Sequence, residues 1–284
     1  MVCVRDHHHS QITYMYILID IGGTKTRVAL TEHREAFLEP VVFLTPQDFE
    51  EWVLRLKESV TLLTQGRKVH GLVSGVPGTL TENGSIVMTP NLPLWQGIPL
   101  KQHLEALFDC KVILKNDTSL VGLGEAVYGA GKGHAIVAYL TISTGVNGVR
   151  IVDGHIDHTT FGFEIGHTII DKNHDVESLI SGGALERRYG KPSHEVHDVA
   201  LWEKINHYAG VFGANTTMYW SPSIVVYGGP VMNDLHIEVI EKEAKQLLHM
   251  YPVTPLFVRG TLKDFGGLYG ALALSKTIGT APGL

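Results

Sequence analysis

Two stretches of the sequence share one design. Residues 16–30 read YILIDIGGTKTRVAL, and residues 135–153 read AIVAYLTISTGVNGVRIVD. Each is a β-branched run, a turn containing glycine and a second β-branched run, which is the pattern of a hairpin. Buried-strand patterns alternating with helical ones follow each hairpin. In the first half a further strand is expected near 38–44. QDFEEWVLRLKESVTLLTQ then spaces Phe49, Trp52, Val53, Leu56, Val60 and Leu63 three and four apart, as on one helix face. VHGLVSGVPG reads as a strand, LKQHLEALFD as a helix, KVILKND as a strand and SLVGLGEAVYGA as a helix. In the second half helices are expected around 175–190 and 195–219. SIVVYGG and PLFVRGTL read as strands, with helix in DLHIEVIEKEAKQLLHM and in the closing DFGGLYGALALSKTI.

Strands alternating with helices give an α/β class, and the hairpins make its sheets mixed. The repeated design implies two lobes on one plan. A small N-terminal lobe is expected over 15–118 and a larger C-terminal lobe over 119–284, with the boundary near 118–135. A cleft lies between them, and the last helix packs back toward the N-terminal lobe. Residues 1–14, with His7 to His9, are expected to be a disordered extension, function beginning at Met15.

The chain has 284 residues, 44% hydrophobic and 18% charged, enough for a sizeable core. Its net charge of -6 argues against nucleic-acid partners. No run approaches the roughly 18 apolar residues that span a bilayer, so no membrane role is expected. Cys3 and Cys110 lie far apart in the sequence, which suits a reducing, cytoplasmic setting.

The glycine turns invite an anion. Gly22 and Gly23 let a phosphate approach backbone N–H groups, Thr24 adds a hydroxyl and Lys25 a positive charge. Asp20 repels phosphate unless a Mg²⁺ ion with its waters stands between them. In STGVNG, Ser143, Thr144 and Asn147 are donors, while Gly145 and Gly148 permit approach. Taken singly, each turn is equally well a plain tight turn; two together favour a clamp on a polyphosphate. Gly228 and Gly229 in YGGP either seat a nucleoside or simply turn the chain.

Asn116 and Asp117 end the strand KVILKND. Attack of a hydroxyl on a phosphoryl group needs a proton acceptor, and a strand-end acid facing a cleft supplies one without a strongly raised pKa. Asp117 is equally a candidate N-cap for the next helix, although Thr118 or Ser119 serves as well. Glu164 and His167, three apart in FEIGH, together suit vicinal hydroxyls, though a lone His is more often structural. Asn91 sits in the proline-stiffened TPNLPLWQGIPL, as a hydroxyl ligand or a turn former.

The ordered set DIGGT, SGVPG, PNLPLWQGIPL, NDTSLVGLGEA, TISTGVNGVRIVDG, FEIGH, VESLISGGALERRYG, VVYGGPV and DFGGLYGALAL resembles the ROK family (repressor, open reading frame, kinase), across residues 16–275. The resemblance implies a two-lobed actin-like, ribonuclease H-like ATPase fold and ATP-dependent phosphorylation of a hexose or N-acyl-hexosamine. It makes Asp117 the general base. It gives the sugar to the Gly78 backbone, Asn91, Asn116, Asp117, Glu164, His167 and Glu177. It puts Mg²⁺ on Asp20 through water and the phosphates on Thr24 and the Thr144–Gly145 turn. A homodimer is also implied. Many members carry CxCGxxGCxE after the EIGH histidine, holding a structural zinc. TIIDKNHDV stands there instead, so no structural zinc is expected, and Asp171, His174 and Asp175 read as a polar surface turn.

An alternative is a non-catalytic sugar-binding regulator without a DNA-binding domain, against which the pair Asp20 and Asp117 argues. A related kinase of the same fold acting on another small alcohol or acid is a third reading.

Overall fold

The structure is a computed structural model that describes residues 14–89, 91–160 and 162–279. The expected extension lies outside these residues except for Tyr14. The chain builds β1 (Met15–Ile21), β2 (Lys25–Thr31), β3 (Val41–Leu44), α1 (Phe49–Thr64) and β4 (Val69–Val76). A small hairpin, β5 (Thr79–Leu80) and β6 (Ile86–Met88), precedes α2 (Leu100–Phe108), β7 (Lys111–Asn116) and α3 (Asp117–Val127). The second half runs β8 (Ile136–Ile142), β9 (Val146–Val152), β10 (His155–Ile156), β11 (Ile169–Asp171), β12 (His174–Asp175), α4 (Val176–Ile180) and α5 (Gly182–Tyr189). It closes with α6 (Val199–Trp220), β13 (Ile224–Gly228), α7 (Ile237–Leu247), β14 (Leu256–Arg259) and α8 (Gly266–Ser275). The single helix expected over 175–190 is two. Ser181 adopts extended backbone and caps α5 through the Ala184 N–H, which breaks the run.

The two halves repeat one topology. The first sheet has order β3-β2-β1-β4-β7 and the second β10-β9-β8-β13-β14. In each, the central strand pairs antiparallel with its hairpin partner and parallel with the strand on its other side. The outer pairs β4/β7 and β13/β14 are parallel as well. Helices α3 and α8 occupy equivalent places, each following the last strand of its sheet.

Side-chain alternation fixes which face meets which layer. Met15, Ile17, Ile19 and Ile21 pack with Trp52, Leu56 and Leu104 of α1 and α2. Tyr16 and Leu18 face the other way, into a cluster with Leu120, Leu268, Ala271 and Leu272 of α3 and α8. In β8, Ala138, Leu140 and Ile142 pack against α4, α6 and α7, while Val137 and Tyr139 join Leu123 and Ala126 of α3. Helices α3 and α8 therefore form a layer between the two sheets. The parity of β1 places Asp20 on that inter-sheet face.

Glycines bring α3 and α8 together. A Cβ on Gly270 would stand 1.8 Å from the Leu120 carbonyl oxygen, and one on Gly124 would stand 2.4 Å from that of Gly266. The buried Glu125, 2% exposed, ties in the loop that leads to α8. One carboxylate oxygen accepts the Leu262 N–H at 2.8 Å and the other the Ala130 N–H at 2.9 Å, so two partly buried donors are satisfied by one side chain.

Gly270→Ala should push α8 off α3. Overpacking against backbone should cost about 1–3 kcal/mol or more, read as a lower urea midpoint at unchanged slope. Wild-type stability in this variant would mean that the crossing is not close-packed.

Candidate functional site

The parallel strands β1, β4 and β7 end side by side, Asp20 opposite Gly75 and Gly75 opposite Lys115. Ligands of open α/β sheets bind beyond such carboxyl ends. Asp20, 9% exposed, is the penultimate residue of β1. Asp117 opens α3 just beyond β7. A Cβ on Gly75 would lie 3.5 Å from both the Asp20 carboxylate and the Asp117 Cα, so the two acids flank one glycine. The N-terminus of α8 completes the corner. Gly267 packs so closely that a Cβ there would stand 2.5 Å from the Asp20 carboxyl carbon.

Asn116, not Asp117, Thr118 or Ser119, is the N-cap of α3, accepting the Ser119 N–H at 3.2 Å. Its amide NH₂ donates to the Gly78 carbonyl at 3.0 Å. Asn116 and Gly78 thus hold each other, and Asp117 is released from capping. Asp117 keeps local bonds, among them the Thr118 N–H, which it accepts at 2.7 Å. Burial, opposed by that N–H and reinforced by Asp20, pushes its carboxyl up to about 7. The modest pKa expected of it is corrected by this desolvation. Burial likewise pushes Asp20 up to about 6, with Arg27 pulling down and Asp264 pushing up.

Arg27 was missed in the sequence. Its guanidinium lies 3.6 Å from Asp20 and 3.4 Å from Asp264. It is the cross-strand partner of Asp20 in the β1/β2 hairpin, so the turn length alone would have found it. Lys25 begins β2 and is exposed.

The first glycine turn is held from behind. The Gly22 N–H is closed onto the Lys25 carbonyl at 2.9 Å. The Gly22 carbonyl accepts the Thr45 hydroxyl, which meets Thr26, which in turn accepts from the Trp52 indole N–H. Gly23 has a packing reason of its own: a Cβ there would stand 2.5 Å from the Cβ of Asn91. Asn91 reaches the turn because the buried Trp95 pins its loop, donating its indole N–H to the Gln47 carbonyl at 3.0 Å.

The second turn is anchored the same way. The Ser143 and Thr144 carbonyls accept the Gly182 and Gly183 N–H groups of α5 at 2.7 and 3.0 Å. Glu177 accepts the Val146 N–H at 2.8 Å and lies against Gly145. Among the described residues, the backbone N–H groups of Gly23, Thr24, Thr144 and Gly145 make no hydrogen bond. Both turns therefore spend their carbonyls inward and keep donors in hand, as an anion requires.

Asn147 donates to Glu164 at 3.2 Å rather than standing as an independent donor. Burial pushes the Glu164 carboxyl up, with His167 opposing and Glu177 reinforcing. The His167 Nδ1 lies 2.8 Å from Asp175, and the interval 169–175 is the β11/β12 hairpin, with His174 bonded to Asp171. The glycines at 228 and 229 answer to packing: Gly228 lies against the Tyr139 hydroxyl, and Gly229, at φ +91°, against the Ile142 backbone. Packing alone requires glycine at both positions.

The sequence-read residues fall into two groups. Asp20, Gly22 to Lys25, Gly78, Asn91, Asn116 and Asp117 belong to the first half of the chain. Thr144, Gly145, Glu164, His167, Glu177, Gly228 and Gly229 belong to the second. No hydrogen bond or ion pair among the described residues joins the groups. Among those residues no cluster of three or more His, Cys, Asp or Glu could cage a metal. A Mg²⁺ ion fits Asp20 nonetheless, since it binds through one or two carboxylates, waters and phosphate oxygens, and this carboxylate is buried with only a loosely placed cation beside it.

The ROK family model matches residues 16–278. A glucokinase of Thermotoga maritima is 31% identical over 173 residues, which is 59% of this chain and 55% of that protein. A fructokinase of Zymomonas mobilis is 28% identical over 291 residues, covering 92% and 96% of the two chains. The crystal structure of a ROK hexokinase from Thermus thermophilus superposes with a TM-score of 0.82 at 26% identity, over 93% of this chain and all of that one (100%).

The raised Asp117 pKa has a signed consequence for stability. The unfolded chain loses this proton near the ordinary value of 3.8, and the folded chain holds it to about 7. Between these values the folded state binds more protons, so stability falls as pH rises through the window and levels off above it. Asp117→Asn should remove that decline, making the variant more stable than wild type at pH 8 and similar near pH 4 in urea unfolding. Lower stability of the variant at pH 8 would refute the desolvation account.

Proposed function

The chain belongs to the ROK family and is a sugar kinase, and we propose that it transfers the γ-phosphoryl group of ATP to a hydroxyl of a hexose or N-acyl-hexosamine, with Asp117 as general base. The observation that carries this reading is the pairing of two outward-donating glycine turns with a desolvated acid freed from helix capping.

Asp117 has the properties a base needs near neutrality. Its carboxyl is pushed up to about 7, so a useful fraction is ionised at working pH and the conjugate acid is not too strong. A sugar hydroxyl hydrogen-bonded to it gives up its proton as the oxygen attacks phosphorus. The Gly78 backbone, locked by Asn116, and Asn91, pinned by Trp95, shape the first-sheet wall for the ring. Glu164 and His167 read ring hydroxyls from the second sheet.

The nucleotide phosphates lie between the turns, on the N–H groups of Gly23, Thr24, Thr144 and Gly145. Asp20 would hold Mg²⁺ through water; the ion neutralises phosphate charge that grows during transfer. Glu177 belongs to this phosphate side through its bond to Val146, which adds a task to the sugar contact expected of it.

Asp117→Asn should keep sugar affinity within a few-fold and lower kcat by about 10²–10⁴. ADP release over a panel of hexoses and amino-hexoses tests both the activity and the acceptor. Tight sugar binding with no turnover on any acceptor would favour a regulator instead. EDTA should abolish transfer and added Mg²⁺ restore it, while a zinc-selective chelator leaves activity intact; unfolding by the latter would overturn the assignment for residues 168–176.

A further inference from the structure

We propose that Asp175 is the positioning residue for His167: it holds the proton on Nδ1 and so presents Nε2 to the sugar as a hydrogen-bond acceptor. The proposal rests on the reading of His167 as a sugar contact.

The His167 side chain is 60% exposed and would rotate freely on its own. Its Nδ1 instead lies 2.8 Å from the Asp175 carboxylate. A carboxylate only accepts, so Nδ1 carries the proton. The same carboxylate, with Glu177 and Glu164 adding to it, raises the His167 pKa, so Nε2 is an acceptor above that raised value, where the ring is neutral. Burial raises the Asp175 carboxyl, but hydrogen bonds from His167 and Ser178 outweigh it and bring it down to about 2. Asp175 therefore stays ionised wherever an enzyme works.

Asp175 is itself rigid. It is the N-cap of α4 in a reciprocal capping box. Its second oxygen accepts the Ser178 N–H at 2.8 Å, its own N–H donates to the Ser178 hydroxyl at 3.1 Å, and β12 pairs it with Ile169. Two residues on, Glu177 reaches the Val146 N–H of the second glycine turn. One short segment thus fixes both the imidazole and the turn, so the sugar-facing nitrogen and the phosphate donors share one frame.

The consequence for substrate is chemical. With the ring neutral, the group that meets Nε2 must donate, which a ring hydroxyl does and an ether oxygen does not.

Asp175→Asn is the decisive variant, because Asn caps a helix as well as Asp while its NH₂ opposite Nδ1 drives the proton to Nε2. Long-range ¹⁵N NMR of labelled histidine should find the His167 proton on Nδ1 in wild type and on Nε2 in the variant. The sugar KM should rise about 5–10-fold, the scale of one hydrogen bond, with ATP KM, kcat and Tm little changed. In a His167→Ala background, Asp175→Asn should have no further effect on sugar KM. If His167→Ala raises sugar KM but Asp175→Asn does not, the positioning role is overturned and the site reading stands. If His167→Ala leaves sugar KM unchanged, the sugar contact itself is wrong and the proposal falls with it.

Discussion

The close crossing of α3 and α8 is the constraint on which the site depends. Glycines at 124 and 270 let the two backbones approach until side chains have no room between them. Each helix follows the last strand of its own sheet, so the crossing also sets how the sheets face each other. It brings the first residue of α3, Asp117, and the first turn of α8 to the same corner, beside Asp20. Two helix N-termini there place partial positive charge next to carboxylates that burial would otherwise keep protonated.

That corner is electrostatically costly. Asp20 raises Asp117, and Asp264 adds to the burden on Asp20. Arg27 answers only in part, at 3.6 Å and shared with Asp264. Structural acids are normally paired closely or capped; Glu125, a few turns along α3, satisfies two loop N–H groups with its two oxygens. Asp117 has only local partners among the described residues, its own backbone and the Thr118 N–H and hydroxyl. The contrast between two acids on one helix, one fully engaged and one held in reserve, separates support from chemistry.

Much of this was legible in the sequence because it is local. Period-two runs, glycine turns and acids at strand ends need only neighbours along the chain, and the two hairpins and the alternating helices followed from them. What the glycines are for did not. A side chain at Gly23, Gly228 or Gly229 would meet Asn91, Tyr139 or the Ile142 backbone respectively, a packing demand separate from any ligand. Those neighbours are set by tertiary packing, which no residue pattern near the glycine encodes. The Trp52–Thr26–Thr45 relay beneath the first turn and the Asp175–His167 pair are invisible for the same reason. Arg27 is the exception, since a hairpin register can be counted from its turn.

The repeated topology also explains why the site is lopsided. Asp20 is the penultimate residue of β1, and Thr141 holds the same place in β8. Asp117 begins α3, where Gly266 begins α8. Had both halves kept acids at these positions, four carboxylates would converge on one corner, and burial with mutual repulsion would keep most of them protonated. Uncharged residues at the equivalent positions of the second half leave Asp20 and Asp117 as the acids of the first, while Glu177 of the second half is already engaged by the Val146 N–H of its own glycine turn.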